Sequence, residues 1–318
     1  VRYIIYGAGA VGGTLGARLF ETGCDVLLVA RGDHGRAMAA NGLRFGTPAD
    51  GWRTLRIPVV QSADQISFAA GDVIVLALKS QGTDAALEAL APRTGPDIPI
   101  LCAQNGVENE RRALRRFANV HGVCVMMQAS LNEPGVVFVN NTPYHGICDI
   151  GRYPSGIDAI DEAFAAATQA ASIHSTARAE IMPFKYAKLL SNLVNVLEAA
   201  SGRAALGSSL AQRARSEAER VYAAAGVTIS RAAESRFGSM EIADVAGVSR
   251  VGGSTAQSVA RGAASLEIDD LNGEIVLLGR LHGVATPVNQ LLQQLALRLV
   301  TEGAAPGSMS LEQLETMV

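Results

Sequence analysis

Gly7-Ala8-Gly9-Ala10-Val11-Gly12 follows directly on the largely apolar run Val1-Arg2-Tyr3-Ile4-Ile5-Tyr6. It precedes Thr14-Leu15-Gly16-Ala17-Arg18-Leu19-Phe20, whose apolar residues recur at helical spacing. A G-x-G-x-x-G alone is a weak signal, but one that opens a helix straight after a strand restricts the chain to few folds. Gly7 would allow the tight turn and Gly9 the approach of backbone to a pyrophosphate. Gly12 would let the helix pack closely on the sheet, with the helix N-terminus facing the anion. A glycine-rich turn without a ligand is the plain alternative. The context favours a dinucleotide, held by Gly7, Ala8, Gly9, Ala10, Val11 and Gly12.

Which dinucleotide is decided at the end of the next strand. The first helix closes near Glu21-Thr22-Gly23, and Asp25-Val26-Leu27-Leu28-Val29-Ala30 reads as the second strand, ending in Arg31-Gly32-Asp33. An NAD site usually carries an acid there to accept the ribose 2′-hydroxyl. Arg31 would instead pair with a 2′-phosphate in a fork geometry, and Arg36 is near enough to assist. A solvated Arg31, or Asp33 turned back towards a ribose, are the alternatives. The expected cofactor is NADP(H).

The chain of 318 residues, 48% hydrophobic, can bury one large core or two ordinary ones. A net charge of −3 argues against a nucleic-acid surface, and Arg111-Arg112 with Arg115-Arg116 reads as a solvated helix face. No apolar run approaches the ~18 residues that span a bilayer. Because the N-terminus enters a strand and nucleotide loop at once, no signal peptide is expected and the compartment reads as cytoplasmic. Cys24, Cys102, Cys124 and Cys148 form no C-x-x-C pair. His121 and His145 each precede a cysteine without a second pair of ligands, so no metal is expected, and Cys102 and Cys124 read as buried thiols.

The first half alternates strand and helix, the pattern of a parallel sheet covered on both faces. Leu43–Phe45 with Thr54–Val60 reads as a hairpin, and Asp72–Ala77, Ile98–Cys102 and Val123–Met126 as further strands. Helices are expected at Gly82–Leu90, Val107–Ala118 and Asp158–Ala171. A second hairpin is expected around Val136–Val139 and Gly146–Ile150, and a short strand near Ile173-His174-Ser175. From about Arg178 helical periodicity takes over, at Lys185–Ala200, Ser208–Ala225, Ala256–Leu281 and Leu291–Thr301. The expected organisation is an α/β Rossmann-type doubly wound domain, residues 1–178, followed by an all-α domain, residues 179–318. A cleft between two such domains is a natural substrate site.

Ligands of open α/β sheets bind beyond the carboxyl ends of the strands. Lys79 and Asn105, the latter within Gln104-Asn105-Gly106, stand at two such ends. Lys79 could touch cofactor phosphate or ribose, and Asn105 the nicotinamide ribose or a reacting carbonyl. Ordinary cap or surface roles are equally open on position alone. In the helix expected from Lys185, the residues Lys188, Asn192 and Asn195 fall within about 60° of one another. Leu189, Leu190, Leu193, Val194 and Leu197 surround them. One lysine and two asparagines on an apolar helix suggest a polar cleft lining, and a lysine can protonate a carbonyl oxygen as hydride arrives; a solvated face, which would usually recruit more charge, is the plain alternative. Gly252-Gly253-Ser254-Thr255 precedes another helix. Ser254 and Thr255 are ordinary N-cap residues, in a loop that also offers N–H groups and hydroxyls to a substrate carboxylate. Glu267, in Leu266-Glu267-Ile268-Asp269-Asp270, is by itself more simply surface charge.

Taken together, these pieces resemble the ketopantoate reductase family. The resemblance covers nearly the whole chain. It rests on Gly7-x-Gly9-x-x-Gly12, Arg31, Leu78-Lys79, Gln104-Asn105-Gly106, Lys188-Leu189-Leu190-Ser191-Asn192, Glu267-Ile268-Asp269-Asp270-Leu271-Asn272-Gly273 and His282-Gly283-Val284-Ala285-Thr286-Pro287-Val288-Asn289. It implies an NADP-binding Rossmann domain joined to an all-α domain of the 6-phosphogluconate-dehydrogenase-like kind, and reduction of a 2-keto acid to a 2-hydroxy acid. It implies Lys188 as general acid, Asn192 as a substrate contact and Glu267 as the supporting glutamate. Lys79 and Asn105 fall at the junction of cofactor and active site, and Arg31 selects the 2′-phosphate.

Two positions depart from the family pattern. A second asparagine is usual four residues beyond Asn192, where this chain has Val196; Asn195 is the candidate substitute. The family's Asn-x-x-Ser loop reads Gly252-Gly253-Ser254-Thr255 here. Thr255 keeps a hydroxyl, while Gly252 has no evident replacement in sequence. The expectation is therefore NADPH-dependent reduction of ketopantoate or a related 2-keto acid, with Lys188 and Glu267 catalytic and Asn192, Asn195, Ser254 and Thr255 holding substrate. The expected partner is that small molecule, not nucleic acid or membrane, with room for a homodimer. A related two-domain dehydrogenase acting on another hydroxy or amino acid, and a non-catalytic NADP-responsive binding protein, are the rivals.

Overall fold

The computed structural model describes residues 1–232, 236, 240–248 and 252–317. The chain divides into two compact units, Val1–Lys185 with Ser235–Ser249, and Tyr186–Glu234 with Arg250–Val318.

In the first unit the strands are β1 (Arg2–Tyr6), β2 (Asp25–Val29), β3 (Leu43–Thr47), β4 (Gly51–Leu55), β5 (Val59–Val60), β6 (Asp72–Leu76), β7 (Ile100–Cys102), β8 (Val120–Met126), β9 (Ala129–Glu133), β10 (Val136–Val139), β11 (Asn141–Thr142), β12 (Ile147–Arg152) and β13 (Glu241–Ile242). Its helices are α1 (Ala10–Glu21), α2 (Gly32–Asn41), α3 (Thr83–Leu90), α4 (Asn109–Leu114) and α5 (Ala159–Ala170). Seven strands form one sheet in the order β12-β8-β7-β6-β1-β2-β5, parallel except for β12, which runs against β8. Consecutive residues of the inner strands face opposite sides. Tyr3, Ile5, Val26, Leu28, Val73 and Val75 join one core, and Ile4, Leu27, Val29, Ile74 and Leu76 another. Burial on both faces is why these strands read as unbroken apolar runs.

Several expectations need correction here. Leu43–Thr47 does pair with Gly51–Leu55, but Val59–Val60 leaves that hairpin to join β2. Val136–Val139 and Gly146–Ile150 do not form a hairpin with each other. β10 pairs with β9 and β3, while β12 pairs with β8, because two short apolar runs in sequence do not choose between sheets. The chain also returns to this unit late. β13 pairs with β11, and Trp52 donates its indole N–H to Ala246 O at 2.8 Å, so not all structure beyond Arg178 is helical.

The second unit is built on helices. Helix α6 (Met182–Asn192) begins before the division at Lys185, and α7 (Asn195–Ser201), α8 (Ser209–Ala225), α9 (Ser254–Ala260), α10 (Asn272–Leu281), α11 (Pro287–Thr301) and α12 (Leu311–Glu315) follow. Val196, Leu197, Leu210, Ala214, Ile268, Leu292, Leu295 and Leu299 are among the residues of its core. Two expected continuous helices are broken. Lys185–Ala200 is interrupted between Asn192 and Asn195, and Ala256–Leu281 between Ala260 and Asn272. Among the described residues no helix is long and apolar enough to cross a membrane.

Candidate cofactor and active site

The three motif glycines answer to different constraints. Gly7 has φ +104°, and a Cβ there would lie 2.6 Å from Leu78 N. A Cβ on Gly12 would press into Gly7 O and stand 3.0 Å from Ala77 Cβ and Ile5 Cγ2. Both are therefore dictated by the protein's own packing. Gly9 caps α1 at φ −73°, ψ −152°, and its Cβ would meet nothing within 4 Å. Nothing in the described chain demands glycine at position 9. The open space lies at the N-terminus of a twelve-residue helix, where N–H groups and the helix dipole favour an anion. This loop fits a dinucleotide pyrophosphate.

Arg31, at the end of β2, is exposed and is the N-cap residue of α2. Asp33 and Arg36 pair with each other on that helix, so Asp33 is engaged locally and Arg36 carries a competing partner. Lys79 and Asn105 follow β6 and β7, and both are half-buried. Thus the glycine loop, Arg31, Lys79 and Asn105 all stand beyond the carboxyl ends of four adjacent strands, β7-β6-β1-β2, where the order of connection reverses around β1.

A buried polar network that sequence reading missed joins the two loops carrying Lys79 and Asn105. Gln104 donates to Leu78 O (3.0 Å) and Thr83 Oγ1 (2.8 Å), and Thr83 donates to Asn109 Oδ1 (2.8 Å). Asn109 donates to Ser80 Oγ (3.2 Å) and Asn105 O (2.9 Å). Arg112 adds a bond to Ser80 O at 3.2 Å, so one arginine of the basic cluster is not merely solvated. Beneath the loop, buried Lys185 pairs with buried Glu110 and donates to Cys102 O (3.3 Å) and Gln104 O (3.1 Å). Burial pushes the Glu110 carboxyl up, against the opposing pull of Lys185. Nothing local in the sequence marks Thr83, Asn109 or Lys185, whose partners lie up to 83 residues away.

In the second unit, Lys188 and Asn192 lie on α6, the lysine half-buried and the asparagine 3% exposed. Ser191 links them. Lys188 Nζ donates to Ser191 Oγ at 3.3 Å, and Ser191 Oγ stands 3.3 Å from Asn192 Oδ1. Asn195 is half-buried and opens α7 after the break. The break has its own support. Buried Asn272 donates to the freed carbonyl of Leu193 (3.0 Å) and to Asn289 Oδ1 (3.0 Å), and Asn289 donates to Glu217 Oε2 (2.8 Å). Asn272 and Asn289 of the C-terminal motifs are thus structural.

Ser254 and Thr255 are half-buried and occupy the first turn of α9, but neither is its N-cap; Gly253 is. Glu267 is 8% exposed in a 3-10 turn, Glu267–Asp270, and not on a long helix or a charged surface. The Gly252 position does have a polar neighbour from elsewhere in the chain. Glu198 accepts the Gly253 N–H at 3.1 Å, and its Oε1 lies 3.3 Å from where a Gly252 Cβ would stand. Gly252 has φ +93°, a conformation that suits glycine. The two glycines admit the Glu198 carboxylate, which borders a cavity of about 310 Å³ with Gly202, Arg203, Gly252, Ala256, Pro306 and Gly307.

Among the described residues, His121, Asp158 and Asp161 are close enough to share an ion. Their atoms are already engaged. His121 bonds to Asp161 Oδ1 (2.7 Å) and Asn119 Oδ1 (2.9 Å), and Asp158 caps α5 while pairing with Arg152. The cluster reads as a structural network. Cys102 and Cys124 are buried free thiols in β7 and β8.

Residues 3–155 match the family described as ketopantoate reductase PanE/ApbA, and residues 180–299 match its C-terminal region. A 2-dehydropantoate 2-reductase of Pyrococcus horikoshii is 30% identical over 299 residues, covering 92% of this chain and 95% of that protein. A PanE/ApbA family ketopantoate reductase of Ralstonia eutropha JMP134 has a solved structure with TM-score 0.78 and 26% identity, covering 95% of this chain and 99% of the other. A D-mandelate dehydrogenase solved with NADH and anilino(oxo)acetate shares the fold at TM-score 0.78 and 22% identity, over 95% and 99% of the two chains. The chain belongs to the ketopantoate reductase PanE/ApbA family of NAD(P)-dependent oxidoreductases.

Proposed function

We propose that this chain reduces a 2-keto acid to a 2-hydroxy acid with NADPH. The substrate in this reading is 2-dehydropantoate, giving pantoate for pantothenate and coenzyme A synthesis, or a close relative of it. Residues 1–178 would serve as the cofactor domain and 179–318 as the substrate domain, of 6-phosphogluconate-dehydrogenase-like form, in a cytoplasmic enzyme. The observation that carries the reading is the half-buried Lys188 beside buried Asn192 on α6. A sensor of redox state needs no proton donor there.

When bound, the nicotinamide supplies a hydride to the ketone carbon. Lys188 donates the proton to the carbonyl oxygen, and Ser191 holds its ammonium in place. Asn192, Asn195, Ser254 and Thr255 orient the substrate, and Glu267 supports Lys188 or the product hydroxyl. The Gly7–Gly12 loop binds the pyrophosphate, Lys79 and Asn105 meet the cofactor towards the nicotinamide, and Arg31 pairs with the 2′-phosphate.

A different 2-keto acid is the second reading, and Glu198 favours it. A carboxylate beside Gly252, with Val196 in place of the usual asparagine, alters both positions at which the family pattern is broken. An unpaired polar group in a closed site costs about 1–3 kcal/mol, so ketopantoate should be a weaker substrate here than for a typical family member. NADPH absorbance followed with ketopantoate and a panel of branched 2-keto acids decides between the readings. Higher kcat/KM for a branched acid supports the second, and preference for ketopantoate at ordinary enzymatic efficiency supports the first. No turnover with any of them would overturn both and leave a binding protein.

A further inference from the structure

His34 lies on α2, 26 residues from Ala8, yet it touches the glycine loop. Its Nε2 stands 2.8 Å from Ala8 O, and its Nδ1 stands 2.9 Å from Gly135 N. A backbone N–H can only donate, so Nδ1 is the acceptor and Nε2 carries the proton that goes to Ala8 O. The two contacts therefore set both the tautomer and the neutral state of the ring. Burial pushes the His34 pKa down, in the same sense, while the bond to Ala8 opposes it.

The Ala8–Gly9 peptide is the one that enters α1. Its N–H, from Gly9, is held by Gly7 O at 2.8 Å. Its carbonyl points inward: a Cβ on Gly13 would lie 3.3 Å from Ala8 O and 3.0 Å from Val137 Cγ2, on β10. His34 meets the carbonyl there. On its far side the ring is fixed by Gly135, in the turn between β9 and β10, whose own carbonyl accepts the Arg44 N–H at 2.9 Å. One imidazole thus ties the glycine loop to the second, four-stranded sheet, β4-β3-β10-β9.

We infer that His34 is a positioning residue for cofactor binding: it holds the Ala8 carbonyl turned away from the open space over Gly9, so that the helix N-terminus presents N–H groups and not a carbonyl oxygen to the pyrophosphate. Without the imidazole donor, the Ala8–Gly9 peptide keeps, among the described residues, the Gly7 hydrogen bond alone. Rotation of that peptide would bring a partial negative charge towards the anion and weaken its binding. The effect is on the pyrophosphate, which NADPH and NADH share, and not on the 2′-phosphate. This inference rests on the proposed dinucleotide site.

The test uses two variants of the full chain, His34→Leu and His34→Gln, titrated with NADPH and with NADH by fluorescence, with thermal melting of each. Leucine fills the volume without a donor. Glutamine keeps an N–H able to reach Ala8 O. His34→Leu should weaken both cofactors alike, by about five- to thirtyfold, and His34→Gln should recover most of that loss at similar Tm. Wild-type affinity in His34→Leu would overturn the inference. So would equal losses in both variants that follow a fall in Tm, because the role would then be structural alone. If the unaltered protein binds neither cofactor, the dinucleotide reading itself fails.

Discussion

Gly9→Ala should separate folding from cofactor binding more cleanly than any other single change in the loop. At φ −73°, ψ −152° alanine is sterically allowed, and its Cβ would meet no atom of the described residues within 4 Å. Alanine is a poorer N-cap than glycine, by up to about 1 kcal/mol. It also restricts the unfolded chain, which returns about 0.4–1 kcal/mol. The two nearly cancel, so Tm should move by no more than about 2–4 °C. The methyl group nevertheless occupies the space that a pyrophosphate would need. Losing one or two charge-assisted hydrogen bonds, each about 1.5–3 kcal/mol, predicts at least a tenfold rise in the Kd for NADPH. Gly12→Ala is the control with the opposite profile. Its Cβ would collide with Gly7 O and crowd Ala77 and Ile5, none of which can retreat easily. A net cost of about 1–3 kcal/mol should lower Tm by roughly 3–10 °C. Isothermal titration with NADPH and differential scanning calorimetry on both variants check the pair. Unchanged NADPH affinity in a folded Gly9→Ala protein would refute the placement of the phosphate.

Three further outcomes follow from the same geometry. Arg31→Ala should weaken NADPH by about ten- to a hundredfold while barely changing NADH; equal losses, measured by fluorescence titration, would remove Arg31 from the 2′-phosphate. Lys188→Ala should lower kcat by about two to four orders of magnitude with NADPH affinity retained, and near-normal turnover in a stopped-flow assay would reject Lys188 as the acid. His145, 3% exposed, has its pKa lowered from 6.5 to about 4, by burial first and then by Arg18 and Arg53. Between those values the unfolded chain takes up a proton that the folded chain refuses, so this stability is complete above about pH 6.5 and falls as the pH drops towards 4. The loss is on the order of 3 kcal/mol, and calorimetry at pH 7.5 and 4.5 should show it reduced in His145→Gln.

Residues close in sequence were the ones legible before the structure. The strand-glycine-helix unit depends on φ values, apolar period and turn chemistry within some twenty residues, so Gly7, Gly9, Gly12 and Arg31 could be put forward together as a candidate cofactor site. The same holds for the inner strands, whose burial on both faces leaves a continuous apolar signal. Lys188 and Asn192 were visible because one α-turn relates them.

Contacts between distant segments were decided only by the tertiary structure. Apolar period does not show that Leu193 and Val194 end a helix, because the freed Leu193 carbonyl is satisfied by Asn272, 79 residues away. Asn195 opens a new helix for that reason. Nor does Gly252-Gly253 announce that its missing asparagine faces a carboxylate from Glu198, or His34 that it holds Ala8 on one side and Gly135 on the other. Local sequence determines which residues can turn, cap or line a strand, since those preferences act through the neighbouring backbone. Which buried donor meets which acceptor is settled by packing, since an unpaired buried group is costly wherever its partner lies in the chain.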